Sequence, residues 1–104
     1  MAYPVKALAT LADPTRRAIF ERLAVKPRSV GELAQGLPVT RPAVSQHLKV
    51  LKDAGLVTDT AHGTRHVYRI DPQGLGEIRK WFDQFWDRQL NAFADEVERD
   101  SKDT

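Results

Sequence analysis

A mainly α-helical fold with one small β-hairpin, in the order α-α-α-α-β-β-α, is what this sequence predicts, and three observations carry the prediction. Between Thr40 and Gly55, the residues Val44, Leu48 and Leu51 recur at i, i+4, i+7, the period of a helix with one packing face. Directly afterwards, Leu56 to Ala61 and Arg65 to Ile70, rich in Val, Thr and Tyr, flank His62-Gly63-Thr64 as two strands flank a turn. From Asp71-Pro72 onward, Leu75, Ile78, Trp81, Phe82, Phe85, Trp86, Leu90, Phe93 and Val97 repeat at helical spacing over about seven turns.

The remaining elements follow from punctuation. A first helix carries Val5, Ala7, Leu8, Leu11 and Ala12 and ends at Asp13-Pro14, because a proline biases its predecessor away from the helical region. Asp13 then caps a second helix with Pro14 in its first position; Ile19, Phe20, Leu23 and Ala24 form its inner face, and Arg16, Arg17, Glu21 and Arg22 its outer one. Pro27 ends that helix. Ser29-Val-Gly-Glu32 has the spacing of a capping box and opens a short third helix with Leu33, Ala34 and Leu37. A turn through Gly36-Leu37-Pro38 leads to the fourth helix, with Thr40 as its N-cap, Pro42 in the first turn and Gly55 as the residue that closes it. Helices three and four make a helix-turn-helix, and the hairpin after them makes a wing.

At 104 residues the chain is one domain, small enough that a partner surface would add much to its burial. Residues 1–98 are read as a single winged domain with its first and last helices as association elements, and 99–104 as a frayed acidic tail. A 41% hydrophobic and 29% charged composition is that of an ordinary folded domain. No apolar run is long enough to span a bilayer, and the amino terminus has no basic-then-apolar leader, so the expected location is the cytoplasm. With no cysteine, disulfides and thiolate metal sites are excluded. The net charge of +2 hides an asymmetry: residues 1–70 hold 11 Lys and Arg against 5 Asp and Glu, and residues 71–104 hold 5 against 9. A basic body with an acidic end suits a nucleic-acid binder with a separate association segment. No Ser/His/Asp set, carboxylate pair or glycine-rich phosphate loop occurs at usable spacing, so no enzyme and no cofactor are expected.

Pro42, Ser45, Gln46, Lys49 and Asp53 share one arc of the fourth helix that carries no large aliphatic group. Packing on one side and polar groups on the other describe a helix that reads DNA. Thr40 and Arg41 are expected near phosphates, and Ser45, Gln46 and Lys49 in the major groove. There Gln46 can pair bidentately with adenine and Lys49 can reach guanine or phosphate. His47 lies between the two faces, where a rim histidine bonded to neighbouring backbone and a phosphate contact are both open. Arg65, beside the hairpin turn with His62 and Thr64, is placed for a narrow minor groove, and Arg16 for a phosphate. On the second strand, Tyr68 and Ile70 share a face and are expected to pack rather than bind.

The apolar arc of the last helix is too wide for one small core. A pocket lined by aromatics and packing against a second copy both account for it, and aromatic stripes at helical spacing favour packing. The expected dimer interface is Tyr3, Leu8, Trp81, Phe82, Phe85, Trp86, Leu90 and Phe93. An alternative is a protein-interaction module that docks through this aromatic helix.

With these residues in view, the chain resembles the ArsR/SmtB family of winged helix-turn-helix repressors over almost its whole length. The resemblance rests on Leu11-Ala-Asp-Pro-Thr-Arg-Arg-Ala-Ile19, Ser29-Val-Gly-Glu-Leu-Ala34 and Val44-Ser-Gln-His-Leu-Lys-Val-Leu-Lys-Asp-Ala-Gly-Leu-Val57, in the family's order. It implies a bacterial homodimer built from the first and last helices, which binds an inverted-repeat operator in double-stranded DNA and blocks transcription until a signal releases it. The departures concern that signal. Metal sensors of the family carry cysteines after the Glu-Leu of the third helix, where this chain has Ala34-Gln35-Gly36, and a second metal site uses histidine on the last helix, where this chain has none after His66. The chain is similar to the cysteine-free members, and neither metal nor dithiol sensing is expected.

Overall fold

Alternating caps and breaks divide the first half of the chain into four helices. The computed structural model describes residues 4–102, with side chains as far as residue 100. Tyr3, expected in the dimer interface, lies outside the described residues. Helix α1 spans Val5–Thr10, and α2 spans Pro14–Val25 with the Asp13 carboxylate accepting from the Arg16 amide at 2.9 Å. Helix α3, Val30–Gln35, begins with the expected capping box: Ser29 accepts from the Glu32 amide, and Glu32 accepts from the Ser29 amide at 3.1 Å. Helix α4, Arg41–Asp53, is capped by Thr40, which accepts from the Ala43 amide at 3.3 Å.

The C-terminus of α4 closes in a Schellman motif, with Gly55 amide to Lys52 carbonyl at 2.9 Å and Leu56 amide to Leu51 carbonyl at 3.0 Å. Gly55 takes φ +77°, a conformation most side chains resist. Strands β2, Val57–His62, and β3, Arg65–Ile70, pair antiparallel from Val57↔Ile70 to His62↔Arg65. The connecting loop is Gly63-Thr64, with φ +66° at Gly63, the first of two turn positions, as a type II′ hairpin asks. One strand was not foreseen. Arg28–Ser29 forms β1 and adds to the outer edge of β3, so the wing is a three-stranded sheet in the order β1-β3-β2. A strand of two residues, one following a proline and the other itself the cap of α3, is too short to show a period of two.

Ile19 and Leu23 of α2, Leu33 of α3, Val44, Leu48 and Leu51 of α4, and Leu56 and Val57 form the core, with Tyr68, Ile70 and Ile78 packed against it. The stripe read from the spacing of α4 is therefore its buried face. Helix α5, Pro72–Lys102, leaves this core and gives the chain extents of 69 × 27 × 21 Å. It runs past position 98, so the expected frayed tail is helical as far as 102. Asp95 and Arg99 stand one turn apart with the acid on the amino-terminal side, the favourable order for such a pair.

The start of α5 is fixed on the end of α4. The Asp71 amide donates to the Leu56 carbonyl at 2.9 Å, and its carboxylate accepts from the Gln73 amide at 3.0 Å. Gly74 lies so close to the Gly55 carbonyl that a Cβ there would fall 1.7 Å from the oxygen. Only a residue without a side chain fits the joint.

Candidate nucleic-acid interface

Three turns of α4 present the polar arc. Pro42, Ser45, Gln46, Lys49 and Asp53 are exposed, whereas Val44, Leu48 and Leu51, on the opposite side, are fully buried. Among the described residues, no intramolecular hydrogen bond or ion pair engages the side chains of Ser45, Gln46 or Lys49, so their donors and acceptors are unspent. A helix whose packing side is sealed and whose other side offers a hydroxyl, a carboxamide and an ammonium has the chemistry of major-groove readout.

His47 is half-buried and is not part of that arc. The Arg16 amide holds the Asp13 carboxyl below the ordinary carboxylate range, with smaller help from the charges of Arg16 and His47. The ring is thus within electrostatic reach of the cap of α2, on the inner edge of the reading face.

A groove of about 500 Å³ runs between the wing and the amino-terminal ends of α3 and α4. Arg41, Ser45, Arg65 and His66 line it, together with Ser29 and Thr64. The Arg41 guanidinium lies over the backbone of Gly31, where a Cβ would sit 3.1 Å from Nη2. The structure therefore brings Thr40, Arg41, Ser45 and Arg65 together at one end of α4, and leaves Gln46 and Lys49 further along the exposed face.

Several basic residues have bonds inside the fold that the sequence did not reveal. Arg16 is half-buried, and its Nε donates to the Thr10 carbonyl at 2.9 Å, satisfying an orphan group at the end of α1. Arg65 Nη2 meets Glu32 Oε1 and lies 3.4 Å from Ser29 Oγ. Lys52 is paired with Asp59 at 2.7 Å, and His66 Nδ1 is 2.9 Å from the other oxygen of Asp59. The hydrogen bond from Lys52, followed by that from His66, keeps the Asp59 carboxyl below its usual range, and Asp59 in turn raises Lys52. This cluster ties the last turn of α4 to both long strands of the wing. Its members lie seven residues apart on three different elements, so neither a helical nor a strand period carried any sign of it.

The proposed interface residues of α5 stand away from the core. Phe82, Phe85, Trp86, Leu90 and Phe93 are all exposed, Trp86 at 58% and Phe93 at 66%. Trp81 stacks on Phe85 with ring centroids 5.5 Å apart, and Leu8 of α1 is half-buried. No helix is long and apolar enough to cross a membrane among the described residues.

Comparison with known proteins agrees with this geometry. Residues 11–60 match a family model described as a helix-turn-helix domain. The chain is 56% identical over 101 residues to the HTH-type transcriptional regulator Rv2034 of Mycobacterium tuberculosis, covering 97% of this chain and 94% of that protein. It is 45% identical over 71 residues to the HTH-type transcriptional repressor SmtB of the same species, covering 68% of this chain and 53% of that protein. Among solved structures, it is similar to the homodimeric winged helix-turn-helix DNA-binding domain of Mb0332 from Mycobacterium bovis, a possible ArsR-family regulator. That match has a TM-score of 0.66 and 27% identity, over 85% of this chain and 82% of that one.

Proposed function

We propose, from the premise that this chain belongs to the ArsR/SmtB family of winged helix-turn-helix transcriptional regulators, that it is a homodimeric repressor acting in the cytoplasm on an inverted-repeat operator, without a metal signal. Membership makes it a DNA-binding regulator and not an enzyme. The observation that carries the finer reading is the division of α4: fully buried Val44, Leu48 and Leu51 back an unspent polar face of Ser45, Gln46 and Lys49. Beside that face, the arginine-lined groove supplies cations for the phosphate backbone, which position a protein on DNA without specifying sequence. Thr40, Arg41 and Pro42 belong to the phosphate side, as do Arg65 and any donors left on Arg16. Ser45 and Gln46 belong to the base-reading side, and Lys49 and His47 stand at its border.

One reading helix covers only a few base pairs. The exposed aromatic arc of α5, with Leu8 of α1, supplies the means of pairing two chains, so that two α4 helices enter successive major grooves about 34 Å apart. The operator is then an imperfect palindrome. Several facts support a reading without metal. The chain has no cysteine, its histidines are 47, 62 and 66, and no three His, Asp or Glu side chains cluster among the described residues. Those histidines lie on the reading helix and wing rather than on α5.

Selection of bound duplexes from a random pool, repeated with zinc and with a chelator, tests all three parts. An enriched inverted repeat whose binding weakens steeply with salt, and is indifferent to zinc and chelation, is the expected result. Binding with no salt dependence, an unsymmetrical enriched site, or release by zinc would each remove the corresponding part.

A further inference from the structure

Arg65, which lines the groove between wing and helices and is expected to touch DNA, is bonded to an acid beside that groove, Glu32. Strand β1 lays the start of α3 beside β3, with Ser29 opposite Val67, and this puts Glu32 within reach of Arg65. On the DNA-binding reading above, we propose that Glu32 stows Arg65 in the free protein and exchanges it for a backbone phosphate when duplex DNA enters the groove. Glu32 thereby sets how tightly the wing engages any duplex.

Three features make the exchange easy. First, both partners face water, Arg65 at 57% and Glu32 at 38% side-chain exposure, so the pair contributes little to folding and is readily given up. Second, a phosphate offers the guanidinium at least as good an acceptor as one carboxylate oxygen, because two parallel N–H···O bonds can form to it. Third, Glu32 is not orphaned when Arg65 leaves. Its Oε1 also accepts from the Ser29 amide at 3.1 Å and the Ser29 hydroxyl at 3.0 Å, and these contacts close within α3 and its cap. The acid remains beside the groove, held on Ser29, as a fixed negative charge near the incoming backbone. It therefore opposes DNA twice, by competing for Arg65 and by repelling phosphate.

The substitution Glu32→Gln separates these roles from the structural one, since glutamine serves equally at the third position of a capping box. Fluorescence anisotropy with a selected operator and with a random duplex, across a salt series, is run on the unaltered protein, on Glu32→Gln, on Arg65→Ala and on the double variant. The expected result is a gain of about three- to tenfold for Glu32→Gln at about 50 mM salt, similar on both duplexes. It shrinks as salt rises, with the slope of log affinity against log salt steeper by up to about one. Most of the gain should vanish when Arg65 is already alanine. Failure of the unaltered protein to bind any duplex would overturn the proposed function itself. Binding by the unaltered protein together with no gain from Glu32→Gln, a loss, or a gain that survives intact without Arg65 overturns the stowing of Arg65 alone.

Discussion

At Gln46 and Lys49 the physical demand is simple: a side chain that reads DNA must have nothing else to do. Both are exposed on the open side of the second and third turns of α4, and neither is engaged by the rest of the fold among the described residues. Gln46→Ala removes a carboxamide that can satisfy two positions of one adenine, so operator binding should fall by about 1–3 kcal/mol while random-duplex binding barely changes. Lys49→Ala, where the ammonium meets phosphate, should weaken both alike and flatten the salt slope by about one. Competition binding distinguishes the two, and equal losses on both duplexes for Gln46→Ala would end its base-reading role. Their open placement could be read from sequence because a helix places every third or fourth residue on the same side, and the side opposite Val44, Leu48 and Leu51 follows by subtraction. The partners of Arg16, Lys52 and Arg65 could not. Each side chain has several rotatable bonds, and its partner is chosen by what the fold brings within reach: a carbonyl six residues back for Arg16, the acid of a neighbouring strand for Lys52, and a helix cap for Arg65.

Helix ends carry much of the specification of the elements, and they were the part best announced by residue type. Asp13, Ser29 and Thr40 all cap as their positions suggested, because a short oxygen-bearing side chain before a helix has an orphan amide to satisfy. Asp13 is held below the ordinary carboxylate range chiefly by the Arg16 amide, and Glu32 by that of Ser29. A carboxyl depressed in the fold contributes stability that is present above its unfolded pKa and lost as pH falls through its folded one. The thermal midpoint should therefore stay level from neutrality to about pH 5 and drop below about pH 4. Asp13→Asn, which still caps, should drop less, and a midpoint that ignores acid would contradict the caps' role. The joint between α4 and α5 is sharper still. Gly74→Ala would put a methyl carbon on the Gly55 carbonyl, backbone against backbone, with no flexible atom to yield. It should destabilise the domain by several times the roughly 1 kcal/mol that glycine-to-alanine ordinarily gains inside a helix. An alanine variant as stable as the parent in chemical denaturation would show that the two helices are not in register there. Gly55 is legible in the sequence as a helix stop, yet its contact with Gly74 joins residues 19 positions apart in different elements, and no local pattern encodes it.

Across the whole molecule, the joint and the aromatic arc belong to one argument. Because α5 is seated on the end of α4, whatever pairs two α5 helices also fixes the angle and distance between two α4 helices. A pairing surface thus becomes a ruler for the operator. The extended shape, 69 Å in its longest dimension, comes from α5 leaving the core with Phe82, Phe85, Trp86, Leu90 and Phe93 uncovered. A contiguous aromatic strip of that size is costly to leave in water and typical of a face that meets a partner. Trp86 and Phe93 are exposed and two turns apart on this strip, so acidic replacement at either leaves the core of Ile19, Leu33 and Leu48 untouched. Trp86→Glu with Phe93→Glu should turn a dimer into a folded monomer in sedimentation, with a circular dichroism spectrum close to that of the parent. Operator affinity should then fall by at least about a hundredfold, because the two half-sites no longer share one binding event and the effective concentration of the second reading helix is lost. Random-duplex binding per chain should change far less, since each wing and each α4 still meets phosphate on its own. A double variant that stays dimeric would move the pairing surface elsewhere. One that becomes monomeric yet keeps full operator affinity would mean that a single α4 and wing suffice to read the site, and that the symmetry assigned to the operator has no physical source in this chain.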